Sequence, residues 1–306
     1  MSRKKIVITG DTGLLGANLC YLWRNEYDIV GVSRAARSIR DIKHIQADIT
    51  DTENLGRIVQ SEKPNVIVHT AAIASVEECE YNPQLAQVTN TDATAALSEL
   101  AEGVGAYFVF ISTDAFYQGV GNDSCSEDAD VTPNSVYSRN KLDGERIVAQ
   151  NLQAISLRTN FYGFNLLNKL SLGEWVLDGL EKNKTLTMFT DVLYSPILVN
   201  DLAGIIIQCF NNRIAGIYNA GATDSTTKYE FGKNVKEVFG ITSGKISKGS
   251  VVNMNFAAWR STNMSMDSSK LADELKIRPP TVAEGIAQFS KLFEGGYAQN
   301  LKSTLE

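Results

Sequence analysis

The chain has 306 residues, 43% of them hydrophobic, enough to bury a substantial core as one large domain or two smaller ones. Charged residues make up 21% and the net charge is −6, with the basic residues scattered apart from Arg34, Arg37 and Arg40, so no basic face for nucleic acid is expected. No apolar run approaches the length that spans a bilayer, and "MSRKKIVITG" passes from charge into a strand-like run without a signal-peptide pattern. A cytoplasmic protein with no membrane and no nucleic-acid partner is the expectation.

The first half alternates strand-type and helix-type segments. "KIVITG" (5–10) is a continuous apolar run of strand length, as in a strand buried on both faces. The helical "LLGANLCYLWRN" follows, then the β-branched "DIVGVSR" (28–34) and a third strand, "HIQADI" (44–49). A polar-faced helix, "DTENLGRIVQSEK", stops at Pro64, and "NVIVHTA" (65–71) is the fourth strand. Residues 83–104, rich in Ala and Leu, read as one helix, and "AYFVFIS" (106–112) as the fifth strand. Asn134 or Ser135 can cap a helix carrying Tyr137 and Lys141, and "AISLRTN" (154–160) is the sixth strand.

Six strands separated by helices predict an α/β fold, a doubly wound parallel sheet of Rossmann type with right-handed crossovers. Beyond Gly163 the pattern loosens. "LYSPILVN" with "DLAGIIIQCF" reads as one more strand–helix pair of the sheet, Thr227 and Glu230 as a capping box for "KYEFGKNVKEVFG", and 281–294 as a final helix. The expected division is a dinucleotide-binding domain over 1–163 plus roughly 191–212, and a smaller, discontinuous C-terminal α/β substrate lobe within 164–306.

Cys20, Cys79, Cys125 and Cys209 lie far apart with no C-x-x-C, which fits free thiols in a reducing compartment. With only His44 and His69, no metal site is expected, and His69, ending "NVIVH", reads as a packed strand-end histidine.

Gly10, Gly13 and Gly16 in "ITGDTGLLGANL" sit where the first strand turns into the first helix. Glycines there let the backbone turn sharply and approach a pyrophosphate, to which the helix start offers unpaired N–H groups. Asp11, Thr12, Leu14 and Leu15 complete the predicted loop. At the end of the second strand stand Ser33 and Arg34, with Arg37 near and no carboxylate before Asp41. An arginine there suits a 2′-phosphate, so NADP(H) is expected, with NAD(H) the alternative.

Tyr137 and Lys141 are four apart on one helix face. A lysine ammonium favours a neighbouring phenolate, so the pair can exchange a proton with a substrate oxygen while hydride moves at the adjoining carbon. A hydroxyl at the end of the fifth strand, where "FISTDAF" supplies Ser112 and Thr113, can orient the same oxygen.

The glycine loop, "ISTD" and "YSRNK" together resemble the extended short-chain dehydrogenase/reductase family over nearly the whole chain. The resemblance implies adenine contacts at "ADI" (47–49), hence Asp48 and Ile49. It also implies cofactor contacts at Ala71 and Ala72 in "HTAAIASVEECEYNP", a structurally important Asn90, and cofactor contacts from Tyr137 and Lys141. "PNSVYSRNKLDGE", "LRTNFYG", "SPILVNDLA" and "WRSTNMSMDSSKL" are most similar to the dTDP-4-dehydrorhamnose reductases and their relatives. That similarity implies Thr113, Tyr137 and Lys141 as the catalytic set, and a nucleotide-sugar substrate touched by Thr113, Asn160, Phe161 and Arg260. The chain departs from the pattern where the sugar should bind. Ala115, Phe116 and Tyr117 follow "STD" in place of a tyrosine and a phenylalanine two later, and Arg260-Ser261 replaces Arg-Pro.

The expected activity is NADPH-dependent reduction of a 4-keto-6-deoxy nucleotide sugar, with a homodimer as the candidate assembly. Ala115, where dehydratases of the family carry an acid, argues against dehydration, and Arg34 argues against an NAD-retaining epimerase. The regulatory subunit of methionine adenosyltransferase is similar across the same motifs, including "VIVHTAA" and "KYEF", so a non-catalytic binding module is the competing expectation.

Overall fold

The computed structural model describes residues 3–254, 256 and 258–305. Seven strands form one sheet: β1 (Lys5–Thr9), β2 (Asp28–Ser33), β3 (Lys43–Gln46), β4 (Val66–His69), β5 (Tyr107–Ile111), β6 (Ala154–Arg158) and β7 (Gly216–Asn219). Their order is β3-β2-β1-β4-β5-β6-β7 and every pairing is parallel. All residues of β4, β5 and β6 are buried, which is why their side chains are mostly apolar, with His69, Ser156 and the ion-paired Arg158 as the polar members. Alternation along β1 feeds both faces. Ile6 and Ile8 pack with Leu15, Leu19 and Leu202 on one side, and Val7 with Leu55, Val59 and Leu97 on the other.

The seventh strand is not the predicted one. In "LYSPILVN", Pro196 cannot donate to a ladder, and the run splits into Leu193–Tyr194 and Ile197–Leu198. These pairs join Thr226–Thr227 with Asn263–Met264, and Phe161–Tyr162, outside the main sheet. The helix that follows, Val199–Asn212, does pack against the helix Leu14–Trp23. The sheet is completed instead by "GIYN", four residues opening on Gly216 at φ +116°, which read locally as a turn.

Two other expectations change in detail. The predicted third strand stops at Gln46, leaving Ala47–Ile49 as the loop beyond the sheet edge. The helix predicted over 83–104 is three consecutive pieces, with a π-helical turn at Val88–Asp92 between Pro83–Gln87 and Ala93–Val104. That turn holds Asn90, whose amide accepts from Ile73 N (2.8 Å) and donates to Ile73 O (3.1 Å), pinning the loop after β4.

In the C-terminal half, Thr185–Phe189 pairs in parallel with Lys245–Gly249. The helices Leu172–Glu181, Lys228–Val238 and Val282–Glu294 surround edge-to-face rings of Tyr162, Phe231 and Phe289. Ser171, Thr227 and Thr281 cap these helices, each accepting from the backbone N–H three residues on. Among the described residues no helix is long and apolar enough to cross a membrane, the four cysteines are free and buried, and no group of three acidic, histidine or cysteine side chains could hold a metal.

Candidate active site

The strand order reverses between β1 and β4, so a crevice opens beyond their carboxyl ends, where α/β sheets collect ligands. Two cavities lie along it. The first, about 320 Å³, is lined by Gly10, Thr12, Gly13, Ser33, Arg34, Asp48, Ile49, Ala71 and Ala72 from the predicted set, joined by Ala35, Thr70 and Leu85 among others.

Two observations fit this cavity to a dinucleotide. Gly10 has φ +76°, and a Cβ there would lie 2.9 Å from the backbone of Ala71; a Cβ on Gly16 would lie 2.2 Å from the Gly10 carbonyl oxygen. Only glycine allows this close-folded loop beneath the helix start. The hydroxyl of Ser33 is buried without a partner among the described residues and sits in the cavity wall. The Asp48 carboxylate accepts from Thr50 N and Oγ1, both at 2.9 Å, and these bonds hold it below the usual carboxylate range.

Four residues of the predicted glycine loop do not line this cavity, nor do Tyr137 and Lys141. The Asp11 side chain turns into the core, where it accepts from Ser38 Oγ (2.6 Å) and pairs with His44 Nδ1 (2.8 Å). It fills the space that a side chain on Gly31 would need. Leu15 is buried in the core, Gly16 packs on Gly10, and Leu14 lies outside both cavities. These positions offer a phosphate only the N–H groups of the first helical turn.

The second cavity, about 590 Å³, brings together Thr113, Asp114, Ala115, Tyr137, Asn160, Phe161, Lys228, Trp259 and Arg260. The predicted catalytic pair of hydroxyls and all the predicted substrate residues therefore meet here. Ser135 positions Tyr137: it caps the helix Val136–Val148 in a capping box with Ser138, while Glu80 accepts from Val136 N (2.7 Å).

Lys141 lines neither cavity. It is buried behind Tyr137, its ammonium 4.0 Å from the centre of the Phe110 ring, and burial pushes its pKa down to about 7, opposed by Glu145. The expected acidification of the phenol by this lysine is not what the folded residues produce. Burial raises Tyr137 to about 12, the Thr113 hydroxyl works against it, and Asp114 and Cys79 add to it. The ammonium lies over the Phe110 ring and near enough to His69 to lower its pKa. His69 is the packed histidine expected from its run: it bonds Thr9 Oγ1 (2.7 Å) and Thr94 Oγ1 (3.1 Å), and burial and Lys141 push it down to about 3.

Two groups here escaped the sequence reading. Asp114 is buried and accepts from Asn160 Nδ2 (2.9 Å); burial lifts its carboxyl to about 6, against Asn160 and Lys228. Lys228, first residue of its helix, holds its ammonium 3.3 Å from the centre of the Tyr194 ring. "ISTD" and "KYEF" contain both residues, but no local pattern relates position 114 to position 228.

The raised Asp114 predicts a stability change. A carboxyl lifted from about 4 to about 6 binds more protons folded than unfolded, so its stabilising contribution is full below about pH 4 and lost as pH rises through about 6. Asp114→Asn keeps the amide partner and removes the charge. It is expected to raise stability at pH 7 by up to about 3 kcal/mol and by little at pH 4, as read from urea unfolding at the two pH values.

A parallel sheet of this order, a glycine loop at its switch point and a threonine–tyrosine pair in the cavity beyond β5 define an extended dinucleotide-binding α/β scaffold of the reductase kind. The chain belongs to the family described as the RmlD substrate binding domain, whose model matches residues 4–294. It is 26% identical over 291 residues to a probable low-salt glycan biosynthesis reductase of Haloferax volcanii, covering 94% of this chain and 97% of that one. It is 29% identical to methionine adenosyltransferase 2 subunit beta of Rattus norvegicus, covering 88% and 81%. The crystal structure of dTDP-4-dehydrorhamnose reductase from Bacillus anthracis in complex with NADP superposes with a TM-score of 0.84 at 25% identity, over 94% of this chain and 99% of that chain.

Proposed function

We propose that this protein is an NADPH-dependent reductase of the 4-keto group of a 4-keto-6-deoxy nucleotide sugar. The observation that carries the reading is the meeting of Thr113, Tyr137, Asn160, Phe161 and Arg260 in one cavity, along the same crevice as the glycine-loop cavity. A nicotinamide dinucleotide supplies the hydride when bound. The chain supplies the proton and the positioning: Thr113 Oγ1 orients the carbonyl oxygen, Tyr137 Oη donates to it as it becomes an alkoxide, and Lys141 supports the charge left on the phenol. With Tyr137 raised to about 12, the phenol carries its proton at neutral pH, which is the form a reductase needs. Ala115 brings no acid to the cavity for a dehydration.

The test is NADPH oxidation by the purified protein with dTDP-4-keto-6-deoxy sugars, followed by absorbance. Turnover supports the reductase. The resemblance to methionine adenosyltransferase subunit beta favours a second reading, a binding module, and cofactor binding without turnover on any such sugar would select it.

Arg34 lines the first cavity beside Asp48 and is the candidate partner of a 2′-phosphate. Because its side chain is exposed, solvent tempers the pair. Arg34→Ala is expected to lower kcat/KM for NADPH about tenfold and leave that for NADH unchanged. Steady-state kinetics with both cofactors checks this, and equal loss for both would contradict the assignment.

A further inference from the structure

Within the second cavity Lys228 is a cation without a hydrogen bond. Its ammonium rests on the Tyr194 ring and has no hydrogen-bond or ion-pair partner among the described residues. Lys228 is partly exposed and lines the cavity. Asp114 lies near enough for each charge to favour the other's ionised form, yet the two make no direct ion pair. Asp114 Oδ2 accepts from Asn160, and Oδ1 receives only a long bond from Thr113 Oγ1 at 3.4 Å, so lone pairs remain free on the carboxylate. A pure donor and a pure acceptor thus flank a gap on the wall that carries Thr113 and Tyr137.

The chemistry of that gap selects its occupant. A phosphate or carboxylate would meet Lys228 but be repelled by Asp114, and an ammonium would suffer the reverse. A hydroxyl suits both, accepting from one side and donating to the other. Asp114 follows Thr113 directly in the chain, so the hydroxyl belongs beside the reacting oxygen. The anionic part of a nucleotide sugar has another candidate partner in Arg260, which pairs with Glu77 and whose Nε is buried without a partner among the described residues.

Building on the reductase reading, we propose that Lys228 and Asp114 form a clamp for the hydroxyl on the carbon next to the reacting carbonyl, the 3-hydroxyl of a 4-keto sugar, and so select an uncharged, 3-hydroxylated sugar ring. Lys228 donates to the hydroxyl oxygen, and the hydroxyl in turn donates a hydrogen bond to the Asp114 carboxylate. Lys228 is a substrate-contacting residue on this account, brought to the site by the short strand Thr226–Thr227, which pairs with Leu193–Tyr194.

The experiment measures binding of dTDP-4-keto-6-deoxyglucose and its 3-deoxy counterpart to the full chain with saturating NADP⁺, by calorimetry, for wild type, Lys228→Met and Lys228→Gln. Wild type is expected to prefer the hydroxylated sugar by ~10–100-fold, because the 3-deoxy ring offers neither an acceptor to Lys228 nor a donor to the buried Asp114. Lys228→Met keeps length and helix propensity but loses the donor, and should bring the ratio to within about threefold of unity. Lys228→Gln retains one N–H arm and should fall between. An unchanged ratio in Lys228→Met, a wild type that binds the two sugars alike, or one that binds neither would each overturn the clamp. NADPH oxidation is followed separately. A wild type that shows the binding preference without turnover keeps the clamp and loses the reductase reading; turnover without the preference does the opposite.

Discussion

Replacing Tyr137 with phenylalanine is expected to cut kcat for the proposed reduction by about 10²–10⁴-fold while KM for the nucleotide sugar changes little. The ring keeps its shape and its place on the helix capped by Ser135, so the wall of the second cavity stays filled. Only the proton donor is removed, and its contribution is made in the transition state, when the carbonyl oxygen gains charge. The pH profile gives a second readout. Tyr137, raised to about 12 by burial, stays protonated across the working range, so it sets no inflection near neutrality. Lys141, pushed down to about 7 by burial, does titrate there. Its ammonium is present below that value and lost above it, so kcat in the direction of reduction should fall as pH rises through about 7. Steady-state kinetics from pH 5.5 to 9 checks both points, and a Tyr137→Phe enzyme within about threefold of wild type would remove the phenol from the mechanism.

Glu145→Gln is expected to destabilise the fold by about 3–5 kcal/mol, the largest stability effect at any position near the site. Glu145 lies one turn after Lys141, 1% exposed, and receives Arg158 Nε (3.0 and 3.2 Å) and NH2 (2.5 Å) together with Ser112 Oγ (3.0 Å). Arg158 NH1 reaches Tyr117 Oη (2.5 Å) and the Glu127 carbonyl (2.9 Å), and Tyr117 Oη donates to Asn219 Oδ1 (2.9 Å). The network ties the Tyr137 helix to β6, β7 and the loop beyond β5. A glutamine leaves the Arg158 charge buried and uncompensated, and that penalty outweighs the single bond lost. Removing both charges should cost less than removing one, so Glu145→Gln/Arg158→Met is expected to be more stable than Glu145→Gln alone. Urea unfolding of the two singles and the double measures the coupling, and simple additivity would show that the pair is not energetically linked.

The sequence reading found what is local. Strands β1, β2, β4 and β5 are mostly apolar runs of the right length between turn residues, and the β-branched or apolar positions of β3 and β6 mark them more weakly. The glycine loop is a short motif whose meaning depends only on the strand before it and the helix after it. Ser135 and Thr227 act on N–H groups three residues away, so their caps are visible in a window of four. Arg34 and the Tyr137–Lys141 spacing are legible for the same reason. What is shared over long separations was misread. "GIYN" lacks an apolar run, and only its neighbour β6 makes it a strand; "LYSPILVN" has the composition of a strand, but Pro196 and its partners draw it out of the main sheet.

By itself, the chain determined a doubly wound sheet, a dinucleotide loop at its first turn and a tyrosine–lysine pair on one helix, because each rests on contacts between residues close in sequence. Only the tertiary structure decided that Asp11 serves the core rather than a ligand. It alone set Lys141 over the Phe110 ring, where burial lowers its pKa, and brought Lys228 across more than a hundred residues to face Asp114. Burial is the physical reason: how far a charged group is removed from water, and which groups share its enclosure, is fixed by packing among distant segments and by no local pattern.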